Sequence, residues 1–267
     1  MKNLTAKQIQ AHPVPPRAIA IWWLGQAGFI LKTPAGVTAV VDPYLSDSCK
    51  PIGERNGFCL ARQVPPPMRP RDLVGLDLYL VTHTHQDHLD PETIGPYRKA
   101  GGRARFVAPP EAWDRLLALK IPSSQVTMVW PNKSLVTGDL TVRATFAIPF
   151  GGDDLTHVGY LFMVKDGPTV YLTGDTAYED VLVDSVAPHK PDVLLAVING
   201  AFRNLGPVEA ARLAKGLNVK VAIPCHYDMF PDNCQPPQMF RTCLKLLGIG
   251  DRYCLLRHAV PFSFSAA

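Results

Sequence analysis

The amino-acid sequence predicts an α+β fold in which a sandwich of sheets is covered by helices. Two observations carry this reading: short β-branched and aromatic runs dominate each half of the chain, and each half finishes with helical segments. The first runs are also parted by turn residues in the manner of antiparallel hairpins, which fits a sheet sandwich better than a doubly wound parallel sheet.

The runs at 18–23, 29–32 and 37–41 read as strands, with Gly25, Gly28 and the stretch from Pro34 to Gly36 as turns. Residues 46–72 follow as a long, proline-rich loop, a length that predicts a border to a functional site. The run at 76–82 is a buried strand that empties into His83, and Asp90, Pro91 and Glu92 then supply an N-cap and an N1 proline for a helix. Strands are expected at 105–108, 125–129, 140–148, 160–164 and 169–172, with a short helix at 111–119. Two more strands, 193–198 and 219–224, flank a helix at 207–217. A last helix at 238–247 stops at Gly248, a suitable C′ residue. No repeat, low-complexity tract or compositional shift divides the chain, so residues 1–267 are expected to form one domain.

With 267 residues, 47% of them hydrophobic and 19% charged, the chain is expected to bury about three quarters of its unfolded surface, which excludes a disordered protein. The longest apolar stretch, 19–31, is broken by Gly25, Gln26 and Gly28 and is too short to span a bilayer, so no membrane partner is expected. The first seven residues lack the apolar region of a secretory signal, which points to the cytoplasm. The six cysteines form no C-x-x-C pair and read as free thiols. A net charge of +4, scattered without a Lys/Arg run, argues against nucleic acid as a partner. A small-molecule substrate is the partner expected, and a homo-oligomer is compatible with the sequence.

The chemistry concentrates between Thr82 and Asp90. On an extended chain residues two apart point the same way, so His83 and His85 can converge on one ion just past a strand end, while Asp87 and His88, beyond the turn, can face a second. Imidazole with carboxylate suits zinc, manganese or iron and not calcium or magnesium. Other strand ends offer further donors: Asp175 after Gly174, His226 after Pro224 and Cys225, and His157 just before a strand. Each is weak alone, because lone loop carboxylates cap turns and lone histidines are usually structural. Together they supply what a dinuclear site lacks.

The stretch H-x-H-x-D-H at 83–88, Thr-Gly-Asp-Thr at 173–176 and the late Pro-Cys-His at 224–226 resemble the metallo-β-lactamase superfamily, in the same order along nearly the whole chain. Within it the chain is similar to the L-ascorbate-6-phosphate lactonase family. Residues 21–28, 41–47, 198–200 and 209–211 and the segment from His226 to Phe230 carry that similarity. The resemblance implies a four-layer αβ/βα sandwich and two divalent ions, zinc or manganese ahead of iron. It places His83, His85 and His157 on one ion, Asp87, His88 and His226 on the other, and Asp175 between them. His157 departs from the commoner surroundings of that ligand, leaving a capping or ligand-orienting role open. Asp42 either orients a ligand or closes the turn before Pro43. Trp22 and Trp23 read as core, and Cys225, pointing opposite to its neighbour, as a buried thiol.

Two such ions would activate a shared water as hydroxide and polarise a carbonyl, with Asp87 as the catalytic residue that relays a proton to the leaving alkoxide. The reaction implied is opening of a cyclic ester of a sugar acid or sugar-acid phosphate. Arg203, Arg55 and Arg62 are the cations that could meet a phosphate, and Asn199 could hydrogen-bond a substrate hydroxyl or cap its own turn. A phosphodiesterase or nuclease on the same bimetallic core is the alternative, opposed by the weak positive balance. An iron redox enzyme resembling flavodiiron proteins would favour Glu where His85 stands and would need a flavin module. A non-catalytic binding module would leave the complete ligand set unexplained.

Overall fold

The computed structural model describes residues 4–149 and 156–266. Among these are the helices α1 (Ala6–Ala11) and α2 (Lys50–Asn56), and the strands β1 (Ala18–Gly25), β2 (Gly28–Lys32), β3 (Thr38–Val41), β4 (Leu78–Leu80), β5 (Arg105–Ala108) and β6 (Val126–Met128) lie side by side in one sheet. A second sheet holds β7 (Ser134–Thr137), β8 (Leu140–Phe146), β9 (Val158–Val164), β10 (Thr169–Leu172), β11 (Val193–Val197) and β12 (Val221–Cys225). The chain then returns to add β13 (Phe262–Ser265) antiparallel to β1 at the edge of the first sheet. Both sheets are mixed: hairpins pair β1 to β2 and β2 to β3, whereas β3 through β6 run parallel, as do β10 through β12.

Alternation along β1 shows the layering. Ile19, Ile21 and Trp23 join Phe162, Tyr160 and Val142 of the second sheet in one core, while Ala20, Trp22 and Leu24 join Ile94 and Tyr97 of α3 (Pro91–Lys99) and Leu116 of α4 (Pro110–Ala118) in another. On the far side α5 (Asp180–Val186), α6 (Pro207–Gly216) and α7 (Pro237–Leu246) cover the second sheet with Leu182, Leu213 and Phe240. Both sheets are therefore buried on two faces, the helix–sheet–sheet–helix arrangement expected. No described helix is long and apolar enough to cross a membrane.

The departures from the sequence reading have local causes. The strand expected at 76–82 ends at Leu80, because the Thr82 amide donates to the Asp42 carboxylate and its carbonyl accepts from Val158. The helix Asp180–Val186 has three valines in seven residues, a composition that favours strand until packing decides otherwise. Within the long 46–72 loop lies a further helix, Lys50–Asn56, and the segment is tied to the rest: Ser46 and Ser48 donate to the buried Asp90 carboxylate. Glu92 N and Thr93 Oγ1 donate to the same carboxylate, so Asp90 caps α3 and fastens the loop beside the histidine segment in one step. All six cysteines are free, with Cys225 buried at the end of β12.

Candidate active site

Adjacent strand ends of the two sheets deliver the predicted donors to one place. His83, His85, Asp87 and His88 follow β4, His157 precedes β9, Asp175 follows β10 and His226 follows β12. Gly174 makes the approach of Asp175 feasible: its φ is +62°, and a Cβ there would lie 2.7 Å from the Val158 carbonyl oxygen. Three other residues here hold left-handed backbone without being glycine, namely Gln26, Asp42 and His226, at φ of +52°, +44° and +58°. Non-glycine residues in that region cost of order 1 kcal/mol or more each and gather at functional sites.

The donors form two connected groups. Ligand atoms of His83, His85 and His157 lie within 4.8 Å of one another, and so do those of Asp87, His88 and His226. A third set, His83, His88 and Asp175, meets the same limit and joins the two. Asp175 Oδ1 stands 3.4 Å from His88 Nε2 and 3.5 Å from His226 Nε2. The His83 and His157 rings stack with centroids 4.1 Å apart.

Asp42 and Thr82 decide which nitrogens face inward. Thr82 N and Oγ1 donate to the buried Asp42 carboxylate, and His88 Nδ1 lies 2.8 Å from Asp42 Oδ2. With its hydroxyl proton on Asp42, Thr82 Oγ1 accepts from His83 Nδ1 at 2.9 Å. When the two rings are neutral, these contacts favour the proton on Nδ1 of each and leave Nε2 toward the centre, the tautomer that a metal ligand needs. Asp42 thus accepts from Thr82 and sits against His88, whichever of its two readings holds.

Burial would raise the Asp87 and Asp175 carboxyls, yet the imidazoles of His88 and His226 hold both well below the ordinary range. Burial would likewise lower His88 and His226, but Asp175 and Asp87, joined for His88 by Asp42, raise both. Burial together with the neighbouring His88 and His157 keeps His83 neutral. The metal-free site is thus an ion-paired cluster, and its pH dependence follows in sign. Raised histidines stabilise the fold below about pH 6.5 and lose that contribution as pH climbs through their folded pKa; depressed carboxylates stabilise it above about pH 4 and lose that contribution on acidification. Protein kept in excess chelator is expected to unfold at the highest urea concentration between about pH 4 and 6.5. A midpoint that rises steadily from pH 6 to 9 would contradict the pairing.

A divalent cation fits this cluster. His88 Nε2 and Asp175 Oδ1 are both buried, stand 3.4 Å apart and neither makes a hydrogen bond, a pair that a cation taking the place of the His88 proton would satisfy. Imidazole nitrogens with a few carboxylate oxygens are the donors that zinc, manganese and iron take.

The remaining candidates distribute unevenly. Asn199 is buried and donates to Asn233 Oδ1, a bond across 34 residues and not a cap of its own turn, while its own Oδ1 makes no hydrogen bond. Arg203 is exposed. Arg62 is not a solvated cation: it donates to the carbonyls of Tyr44, Ser46 and Val64 and so holds the long loop together. Two polar contacts to the site escaped the sequence reading. Asn204 Nδ2 donates to Asp175 Oδ2 at 2.7 Å, and Gln26 Nε2 to Asp87 Oδ2 at 2.7 Å. For Gln26 a signal existed, a lone carboxamide inside the apolar run 19–31; for Asn204 there was none.

Residues 20–226 match the family model described as "Beta-lactamase superfamily domain". A UPF0173 metal-dependent hydrolase of Cupriavidus necator is 30% identical over 243 residues, covering 84% of this chain and 78% of that protein. An Escherichia coli protein named "Probable L-ascorbate-6-phosphate lactonase" is 25% identical over 274 residues, covering 88% of this chain and 77% of its own. The crystal structure of an isothiocyanate hydrolase from Delia radicum gut bacteria superposes with a TM-score of 0.74 at 19% identity, over 92% of this chain and 100% of that one, a likeness of fold.

Proposed function

Because the chain belongs to the beta-lactamase superfamily and is a metal-dependent hydrolase, we propose that it opens the ring of a lactone, the cyclic ester of a sugar acid or sugar-acid phosphate. The observation that carries the reading is the joining of the two donor groups through Asp175. On this reading His83, His85 and His157 would hold one ion and Asp87, His88 and His226 the other, with Asp175 available to both. When bound, such ions supply Lewis acidity toward a carbonyl oxygen and lower the pKa of water.

The side chains have the remaining work. Opening the ester forms a bond from water oxygen to the acyl carbon and breaks the bond from that carbon to the ring oxygen, so one proton must travel from water to the departing alkoxide. In this proposal Asp87 carries it, on the carboxylate oxygen that Gln26 does not engage. The buried thiols of Cys49 and Cys225 are poor nucleophiles, since burial pushes each well above the ordinary thiol range. The Thr82 hydroxyl is committed to Asp42. Should the lactone carry a phosphate, the exposed Arg203 and Arg55 are the cations that could meet it.

A panel of sugar-acid lactones, with and without phosphate, set against bis(p-nitrophenyl) phosphate tests the reading on zinc- and manganese-loaded protein. Lactone opening is expected to exceed diester cleavage in kcat/KM by at least about tenfold, a difference of about 1.4 kcal/mol in transition-state stabilisation. Turnover of the diester alone would overturn the lactone reading in favour of a phosphodiesterase on the same cluster.

A further inference from the structure

Gln26 occupies the two-residue tip of the β1–β2 hairpin, between Gly25 and Ala27, and it is fully buried. Its main chain is clamped: the carbonyl accepts from Trp23 Nε1 at 3.0 Å and from the His226 amide at 2.9 Å. The left-handed backbone at φ +52° turns the side chain toward the cluster, where Nε2 lies 2.7 Å from Asp87 Oδ2 and 3.1 Å from His226 Nε2. Its Oε1 is buried without a hydrogen-bond partner. A strained, buried, half-satisfied carboxamide at the tip of a hairpin is a poor structural choice unless the contact to Asp87 is what it is kept for.

We propose that Gln26 is the positioning residue for the half of the site made by Asp87, His88 and His226, setting how tightly that half retains a divalent ion. The proposal rests on the reading that this half holds one. The logic is electrostatic. A Lys or Arg in this place would orient Asp87 but cancel its charge and repel a cation, whereas a neutral carboxamide donates the same hydrogen bond and leaves the charge for the ion. The contact to His226 Nε2 is the one a cation on that nitrogen displaces, so the bond to Asp87 is the one that persists.

Two variants of opposite expected sign make the test. Asn adopts left-handed backbone readily, so Gln26→Asn keeps the turn while withdrawing the amide by one methylene. Gln26→Glu places a second carboxylate beside Asp87, a repulsion that a bound cation relieves. Zinc-loaded parent and variants are dialysed against graded EDTA, and retained metal is measured by elemental analysis, with thermal midpoints in excess EDTA as a check on folding. Gln26→Asn is expected to release one equivalent at about tenfold lower EDTA than the parent, and Gln26→Glu at higher EDTA. A packing role for Gln26 would move both variants the same way. Equal retention by all three, or shifts of the same sign, overturns the role given to Gln26. A parent whose metal content is untouched by His226→Ala overturns the site reading beneath it.

Discussion

Asp175→Asn is expected to leave the fold standing while lowering kcat/KM by about a thousandfold and releasing metal from both halves of the site. The carboxylate lies within 4.8 Å of a His83 ligand atom, and its Oδ1 is 3.4 Å from His88 Nε2 and 3.5 Å from His226 Nε2. An amide can keep the bond that Asn204 Nδ2 donates to Oδ2 by placing its own oxygen there. It must then turn an N–H toward the centre, where cations would sit. Lewis-acid assistance is worth several kcal/mol, and at about 1.4 kcal/mol per decade its loss comes to about three decades. The turn survives, because Gly174 and not the carboxylate sets its backbone. Metal analysis and circular dichroism on the same sample check the two halves of this expectation. A variant that keeps both equivalents of metal and most of its turnover would show that Asp175 only braces the loop.

The cluster was legible where chemistry and strand period coincide, and hidden where it depends on how the two sheets meet. His83, His85, Asp87 and His88 announce themselves because four ligand-type side chains leave one buried strand together. Asp175, His157 and His226 required the weaker inference that each sits at a strand end, and they meet only because the mixed sheets present those ends along one edge. Gln26 reaches Asp87 across 61 residues of sequence and Asn204 reaches Asp175 across 29, distances over which no local pattern speaks. The long loop was recognised by length and proline content as bordering a site, and its Ser46 and Ser48 do hold Asp90, two residues past His88. What composition could not reveal is that Arg62, an apparent surface cation, donates to the carbonyls of Tyr44, Ser46 and Val64. Fold class was the easier problem, because apolar runs buried on both faces leave few ways to stack two sheets. Short edge elements such as β7 and β13 carry too little apolar surface to declare themselves.

Asp42→Asn isolates the second large effect, the choice of imidazole tautomer. The parent carboxylate accepts three bonds: two from Thr82, through its amide and hydroxyl, and one from His88 Nδ1. An asparagine can still accept from the Thr82 amide with its oxygen, but its NH2 group then faces the hydroxyl and His88 Nδ1. Nδ1 is forced to accept, so the His88 proton moves to Nε2, the nitrogen that must ligate. The error propagates, because a Thr82 hydroxyl that has lost its acceptor on Asp42 turns its proton toward His83 Nδ1 and flips that ring as well. Metal affinity or turnover is expected to fall by about 10- to 100-fold, the size found when a group orienting a ligand is removed. Asparagine tolerates the left-handed backbone that Asp42 holds at φ +44°, so the thermal midpoint of chelated protein should change far less than metal retention does. NMR of the imidazole nitrogens in zinc-loaded protein distinguishes the cause: protonation at Nδ1 of His88 in the parent, and loss of that pattern in the variant. Were Asp42→Asn to retain metal and the parent tautomer, the carboxylate would be no more than the turn-closing residue that its place before Pro43 also allowed.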